Sequence, residues 1–187
     1  MYSIRPILTD DDVEIARLIR QVSHEFGLAS DAGFAVSDPI LDHLYEFYQQ
    51  PHAYYWVIVD ENNQILGGGG IAPLQGETNI LEIQKMYFLP ELRGRGLAQK
   101  LLEHCFEFAR LYQFKSCYLE TTASLSQSIQ LYQKIGFVQI DQPKGNTGHS
   151  AACEIWMLKT LNSCYLAHTK LINMNHRIVT NSSAEVG

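Results

Sequence analysis

At 187 residues, with 46% hydrophobic and 18% charged positions, the chain has the size and make-up of one globular domain with a single core. It contains no apolar run near the ~20 residues of a membrane span, so a membrane partner is not expected. A net charge of −6 argues against nucleic-acid binding and suits a cationic partner.

Ser3-Ile4-Arg5-Pro6-Ile7-Leu8 reads as a short edge strand, because Pro6 cannot donate to a central ladder. Thr9-Asp10-Asp11-Asp12 is a helix-start region, and Val13, Ile15, Ala16, Leu18, Ile19 and Val22 follow at helical spacing. A second helix is predicted over about Pro39 to Gln49. Tyr54–Val59 and Ile65–Ala72 are strands joined by Asp60-Glu61-Asn62-Asn63, a hairpin turn. Gly67-Gly68-Gly69-Gly70 lacks the Lys-Ser/Thr of a P-loop and no helix follows it, so it reads as a strand against which something packs closely.

Glu82–Leu89 is the fourth strand, stopped by Pro90. Leu97–Tyr112 is a helix with a stripe at Leu97, Leu101, Leu102, Cys105, Phe106 and Ala109. Ser116–Glu120 is the fifth strand, Leu125–Lys134 a helix ended by Gly136, and Phe137–Ile140 with Cys153–Leu158 the last strand pair. The order β-α-α-β-β-β-α-β-α-β-β describes an α/β domain over residues 1–161 around a central sheet. Residues 162–187 read as a polar C-terminal tail, partly mobile.

Cys105, Cys117, Cys153 and Cys164 form no CxxC or zinc spacing, so reduced thiols in a cytoplasmic protein are expected. The N-terminus, Met1 to Pro6, shows no secretory pattern, and the seven histidines show no metal motif. No metal is expected.

Pro90-Glu91-Leu92-Arg93-Gly94-Arg95-Gly96-Leu97-Ala98 joins the fourth strand to the following helix. Unpaired N–H groups and the helix dipole make such a start an anion site. Gly94 and Gly96 permit positive φ or close backbone approach, Arg93 and Arg95 add positive charge, and Ala98 is small. Physics alone reads this as a diphosphate site or as a tight helix-start turn.

The loop resembles the [Gln/Arg]-x-x-Gly-x-[Gly/Ala] motif of the GNAT superfamily of N-acetyltransferases, as Arg93-x-x-Gly96-x-Ala98. Glu82–Pro90 is similar to that family's fourth strand, Leu119-Glu120-Thr121 to the end of its fifth, and Leu131-Tyr132 through Gly136-Phe137 to its LY-x-x-x-GF element. The resemblance implies a mixed sheet with helices on both faces, splayed between strands four and five, and acetyl-CoA as co-substrate. Carried across, Met86, Tyr87 and Phe88 would pair with pantetheine, and the amides of Arg93, Gly94, Arg95, Gly96, Leu97 and Ala98 would hold the pyrophosphate. Where the family often has Asn, this chain has Leu125, and Ser124 or Ser126 stands in for it.

Tyr132 is the general-acid candidate, able to protonate the departing thiolate. Glu82 is the leading base, with Glu120 the alternative base or a ligand for the substrate ammonium. The implied reaction is direct attack of a primary amine of a small molecule or peptide, with no acyl-enzyme. Glu25, Tyr55, Glu120 and His149 are the substrate-side candidates, and a homodimer is an allowed assembly. A catalytically silent CoA-binding sensor is the alternative function.

Overall fold

The computed structural model describes residues 1–28, 38–148 and 153–162. The Cys164 thiol, the tail from residue 163 and the His149 assignment lie outside the described residues.

Seven strands form one sheet in the order β1-β2-β3-β4-β5-β7-β6. They are β1 (Ser3–Pro6), β2 (Tyr54–Val59), β3 (Ile65–Pro73), β4 (Ile80–Phe88), β5 (Ser116–Thr121), β6 (Val138–Ile140) and β7 (Ile155–Thr160). Among the described residues the helices are α1 (Asp12–Glu25), α2 (Leu44–Phe47), α3 (Leu97–Leu111) and α4 (Ser126–Lys134). The order of elements is the one the periodicities predict, and the sheet is mixed, because β4 and β5 run parallel while the other pairs are antiparallel. Central strands β2 and β3 are buried almost throughout, which accounts for their unbroken apolar or glycine runs.

Helices cover both faces. Ile15, Leu18, Ile19 and Val22 of α1 and Leu44 of α2 pack with Tyr55, Val57 and Ile65 on one face. Leu101, Leu102, Cys105 and Phe108 of α3, with Tyr132 of α4, pack with Trp56, Leu81, Ile83 and Leu119 on the other. Alternation along β4 therefore sends Leu81 and Ile83 toward α3 and leaves Glu82 and Gln84 on the α1–α2 side.

The predicted second helix over 39–49 is instead a 3-10 turn, Pro39–Asp42, followed by the single turn α2. His43 breaks the helix at φ −137°, and the Tyr45 N–H donates to Asp12 Oδ1 at 2.8 Å rather than continuing a helical ladder. The other edges shift little: β4 begins at Ile80 and β7 runs from Ile155 to Thr160.

The glycine run in β3 is a close-approach device. A Cβ on Gly68 would lie 2.8 Å from Tyr55 Cε1, and one on Gly70 would lie 2.6 Å from both Tyr48 Cζ and Tyr55 Cδ2. The two rings occupy that space, with centroids 5.0 Å apart.

Candidate active site

β4 and β5 pair only through Ile80, Leu81 and Glu82, opposite Ser116, Cys117 and Tyr118. Beyond Glu82 the strands part. Just past this point β4 carries a bulge against β3: Gly68 faces Tyr87 and Gly70 faces Gln84, so Lys85 and Met86 share one opposing residue. Lys85 sits at φ +50°, the left-handed conformation that such a bulge uses, and the strand bends there. Two bonds hold it. Tyr55 Oη donates to the Lys85 carbonyl at 3.0 Å, and Lys85 Nζ pairs with Asp38 Oδ2 at 2.5 Å in a site where both side chains are largely buried.

The parting opens a cleft of about 690 Å³ that passes between β4 and β5. Met86, Tyr87 and Phe88 line one wall, and Thr121, Ser124 and Ser126 the other. At one end lies the start of α3. Gly94 and Gly96 adopt φ +72° and +73°, and a Cβ on either would project into open space. The first turn of α3 has no acidic residue and no side-chain cap on its amides. Its free N–H groups thus present the positive end of a 15-residue helix to the cleft.

Both arginine side chains depart from expectation. The Arg93 guanidinium is engaged by both carboxylate oxygens of Glu25, and Nη2 also donates to the Phe88 carbonyl at 3.2 Å. Arg95 Nε donates to the Glu91 carbonyl at 2.6 Å, its guanidinium lies over the Tyr2 ring, and the residue does not line the cleft. Positive character at this loop comes from backbone amides more than from side chains.

Glu25, an acceptor-side candidate, lines the cleft with its carboxylate paired to Arg93, which holds its carboxyl below the usual range. Tyr55 does not line the cleft: it is 1% exposed and braces the bulge from inside the core.

Glu82 lies in the cleft wall, 5% exposed, with its carboxyl pushed up to about 7, chiefly by burial. Nearby Glu120 pushes in the same direction, whereas a hydrogen bond from Gln84 Nε2 at 2.7 Å opposes the rise. Glu120 shares this face but is well bonded: Tyr118 Oη donates to it at 2.7 Å and Thr147 Oγ1 at 2.9 Å. Thr147 thereby ties the loop after β6 to β5.

Tyr132 enters from the opposite, α3-side face. Its ring meets Phe137 edge-on at 5.8 Å, and Gly136 at φ +94° lets the chain turn back after α4 to make that contact. The phenol is 9% exposed, 4.0 Å from Met86 Sδ, and held well above its ordinary pKa by burial, so it keeps its proton at neutral pH. Cys153 also lines the cleft, and burial with Glu120, Glu154 and Glu82 nearby pushes its thiol up to about 12, which leaves it a poor nucleophile.

Sequence reasoning passed over Gln84, Tyr48 and the Lys85–Asp38 pair. Only the two-residue spacing of Glu82 and Gln84 on one strand gave a signal for any of them. No cluster of three or more His, Cys, Asp or Glu side chains suited to a metal occurs among the described residues. No described helix is long and apolar enough to cross a membrane.

A profile of the acetyltransferase (GNAT) family matches residues 21–137. The chain belongs to this family. It is 53% identical over 159 residues to the Escherichia coli (strain K12) "Uncharacterized N-acetyltransferase YjgM", covering 84% of this chain and 94% of that protein. A GNAT-family acetyltransferase structure from Staphylococcus aureus superposes with a TM-score of 0.75 at 17% identity, over 87% of this chain and 100% of that one. The PaiA N-acetyltransferase of Thermoplasma acidophilum, solved in complex with coenzyme A, superposes with a TM-score of 0.67 at 15% identity, over 86% and 99%. As a GNAT acyltransferase, the protein carries its cleft at the parallel, splayed strand pair.

Proposed function

We propose that the protein moves acetyl from acetyl-CoA to a primary amine of a small molecule or peptide, by direct attack within this cleft. The observation that carries the reading is that one opening joins three features: an uncapped helix start, a carboxyl with its pKa near neutrality and a protonated phenol. The residues suit CoA as donor. Left-handed Gly94 and Gly96 with open space above them admit a pyrophosphate to the amides of α3, and the unpaired edges of Met86 to Phe88 suit pantetheine. Ser124 and Ser126 both stand in the facing wall as polar partners.

Bound acetyl-CoA supplies the activated acetyl group. Glu82, at about 7, takes a proton from the incoming ammonium near physiological pH, and Glu120 on the same face adds negative charge that attracts it. Tyr132 Oη holds a proton for the departing thiolate. The high pKa of Cys153 argues for direct attack rather than an acyl-enzyme.

The test is thiol release from acetyl-CoA with a panel of primary amines, followed as a function of pH. Amine-dependent release is expected, with kcat/KM rising through an inflection near pH 7 that Glu82→Gln abolishes. Tight CoA binding without release on any amine would favour a binding module instead.

A further inference from the structure

We propose that Gln84, braced by Tyr48, is a positioning residue for Glu82: it fixes the carboxylate's orientation and replaces the water that burial takes from it. This rests on the reading of Glu82 as the base.

The chain of bonds runs from core to cleft. Tyr48 Oη donates to Gln84 Oε1 at 3.0 Å, and Gln84 Nε2 donates to Glu82 Oε2 at 2.7 Å. Each bond fixes the other. An ionised carboxylate only accepts, so Gln84 must present its NH₂ group to Glu82, which turns its carbonyl toward Tyr48. Tyr48 must then donate, and burial holds its phenol well above the ordinary pKa, so it does. Only Oε2 of Glu82 takes the amide, which leaves the carboxylate a second oxygen for the amine proton.

Tyr48 is itself immobilised. It is 3% exposed, with its ring 4.9 Å from Phe47 and 5.0 Å from Tyr55. It lies where a Cβ on Gly70 would fall. The glycine run of β3 thus makes room for the ring that orients Gln84. An amide is a suitable link, since it stabilises the ionised carboxylate without adding a second charge that would make Glu82 too weak a base.

The other groups that bear on Glu82 come from every side. Glu120 and Tyr118 lie on β5, Lys85 on β4 with its partner Asp38, and Cys153 just before β7. Of these, Lys85 favours the ionised form, as Gln84 does, while Glu120 and Asp38 oppose it.

Protein labelled with [δ-13C]glutamate tests this without any substrate. The carboxyl resonance lost in Glu82→Gln belongs to Glu82, and its chemical shift is followed against pH in the full chain. The wild-type midpoint is expected near 7. In Gln84→Leu it should rise by about one unit, a tenfold gain in proton affinity, and in Tyr48→Phe by about half as much. A brace that served only stability would lower Tm and leave the midpoint in place. An unchanged midpoint in folded Gln84→Leu overturns the proposal; if that chain does not fold, an unchanged midpoint in Tyr48→Phe does so. Failure of the base reading is separately visible: Glu82→Gln would then release thiol from acetyl-CoA at the wild-type rate with the same amines.

Discussion

Tyr132 and Glu82 reach the cleft from opposite faces of one sheet, and burial sets the protonation state of each. For the phenol, burial raises a pKa that is already high, so the proton stays on. For the carboxyl, burial raises a low pKa to about 7, where gain and loss of a proton are nearly balanced. Tyr132→Phe removes the proton and little of the ring's packing against Phe137. In steady-state assays this variant should lose about a hundredfold in kcat. Its calorimetric affinity for CoA should stay within about twofold of wild type. Sequence alone singled out both residues, because each sits in a family motif. It did not foresee what Glu25 and Tyr55 bond to, because their partners, Arg93 and the Lys85 carbonyl, are distant in the chain and have no local pattern.

Two backbone devices shape the site: the bulge at Lys85, just past the end of the β4–β5 ladder, and the left-handed glycines before α3. At Gly96 nothing in the protein obstructs a side chain, so the demand for glycine comes from φ +73° and from whatever ligand approaches the amides. Gly96→Val should therefore cost stability of about 1–2 kcal/mol from the left-handed backbone. Affinity for CoA, by calorimetric titration, should fall by about tenfold or more, because the new side chain stands over the amides. Wild-type affinity in that variant would remove the loop from the binding site. The helix start was legible from Gly94, Gly96 and Ala98. The bulge was not, since its left-handed residue is Lys85, held there by Tyr55 and Asp38 rather than by any preference of its own. Nor was the break at His43, which follows from Asp12 taking the Tyr45 amide across the fold.

For the whole molecule, strand and helix periods sufficed to give the order of elements, while the helical cover on both faces came from the family resemblance. Strand order is a different matter: nothing local in Val138–Ile140 or Ile155–Thr160 says that β7 lies between β5 and β6. The splay between β4 and β5 came from likeness to the GNAT family, and the structure carries it; their parallel pairing was not read from the sequence. The wall around Glu82 and Glu120 was less legible, because Thr147 reaches Glu120 from a loop 27 residues on and Tyr48 reaches Gln84 from 36 residues before. On the proposed function, the molecule has a donor end at α3 and a proton-transfer centre inside the sheet, along the cleft that both line. A crystal structure of the protein with CoA tests that arrangement most directly. The pyrophosphate should lie on the amides of residues 94–98, the pantetheine between β4 and β5, and the sulfur about 3–4 Å from Tyr132 Oη. CoA bound outside the cleft, or a sulfur beyond reach of Tyr132, would contradict it.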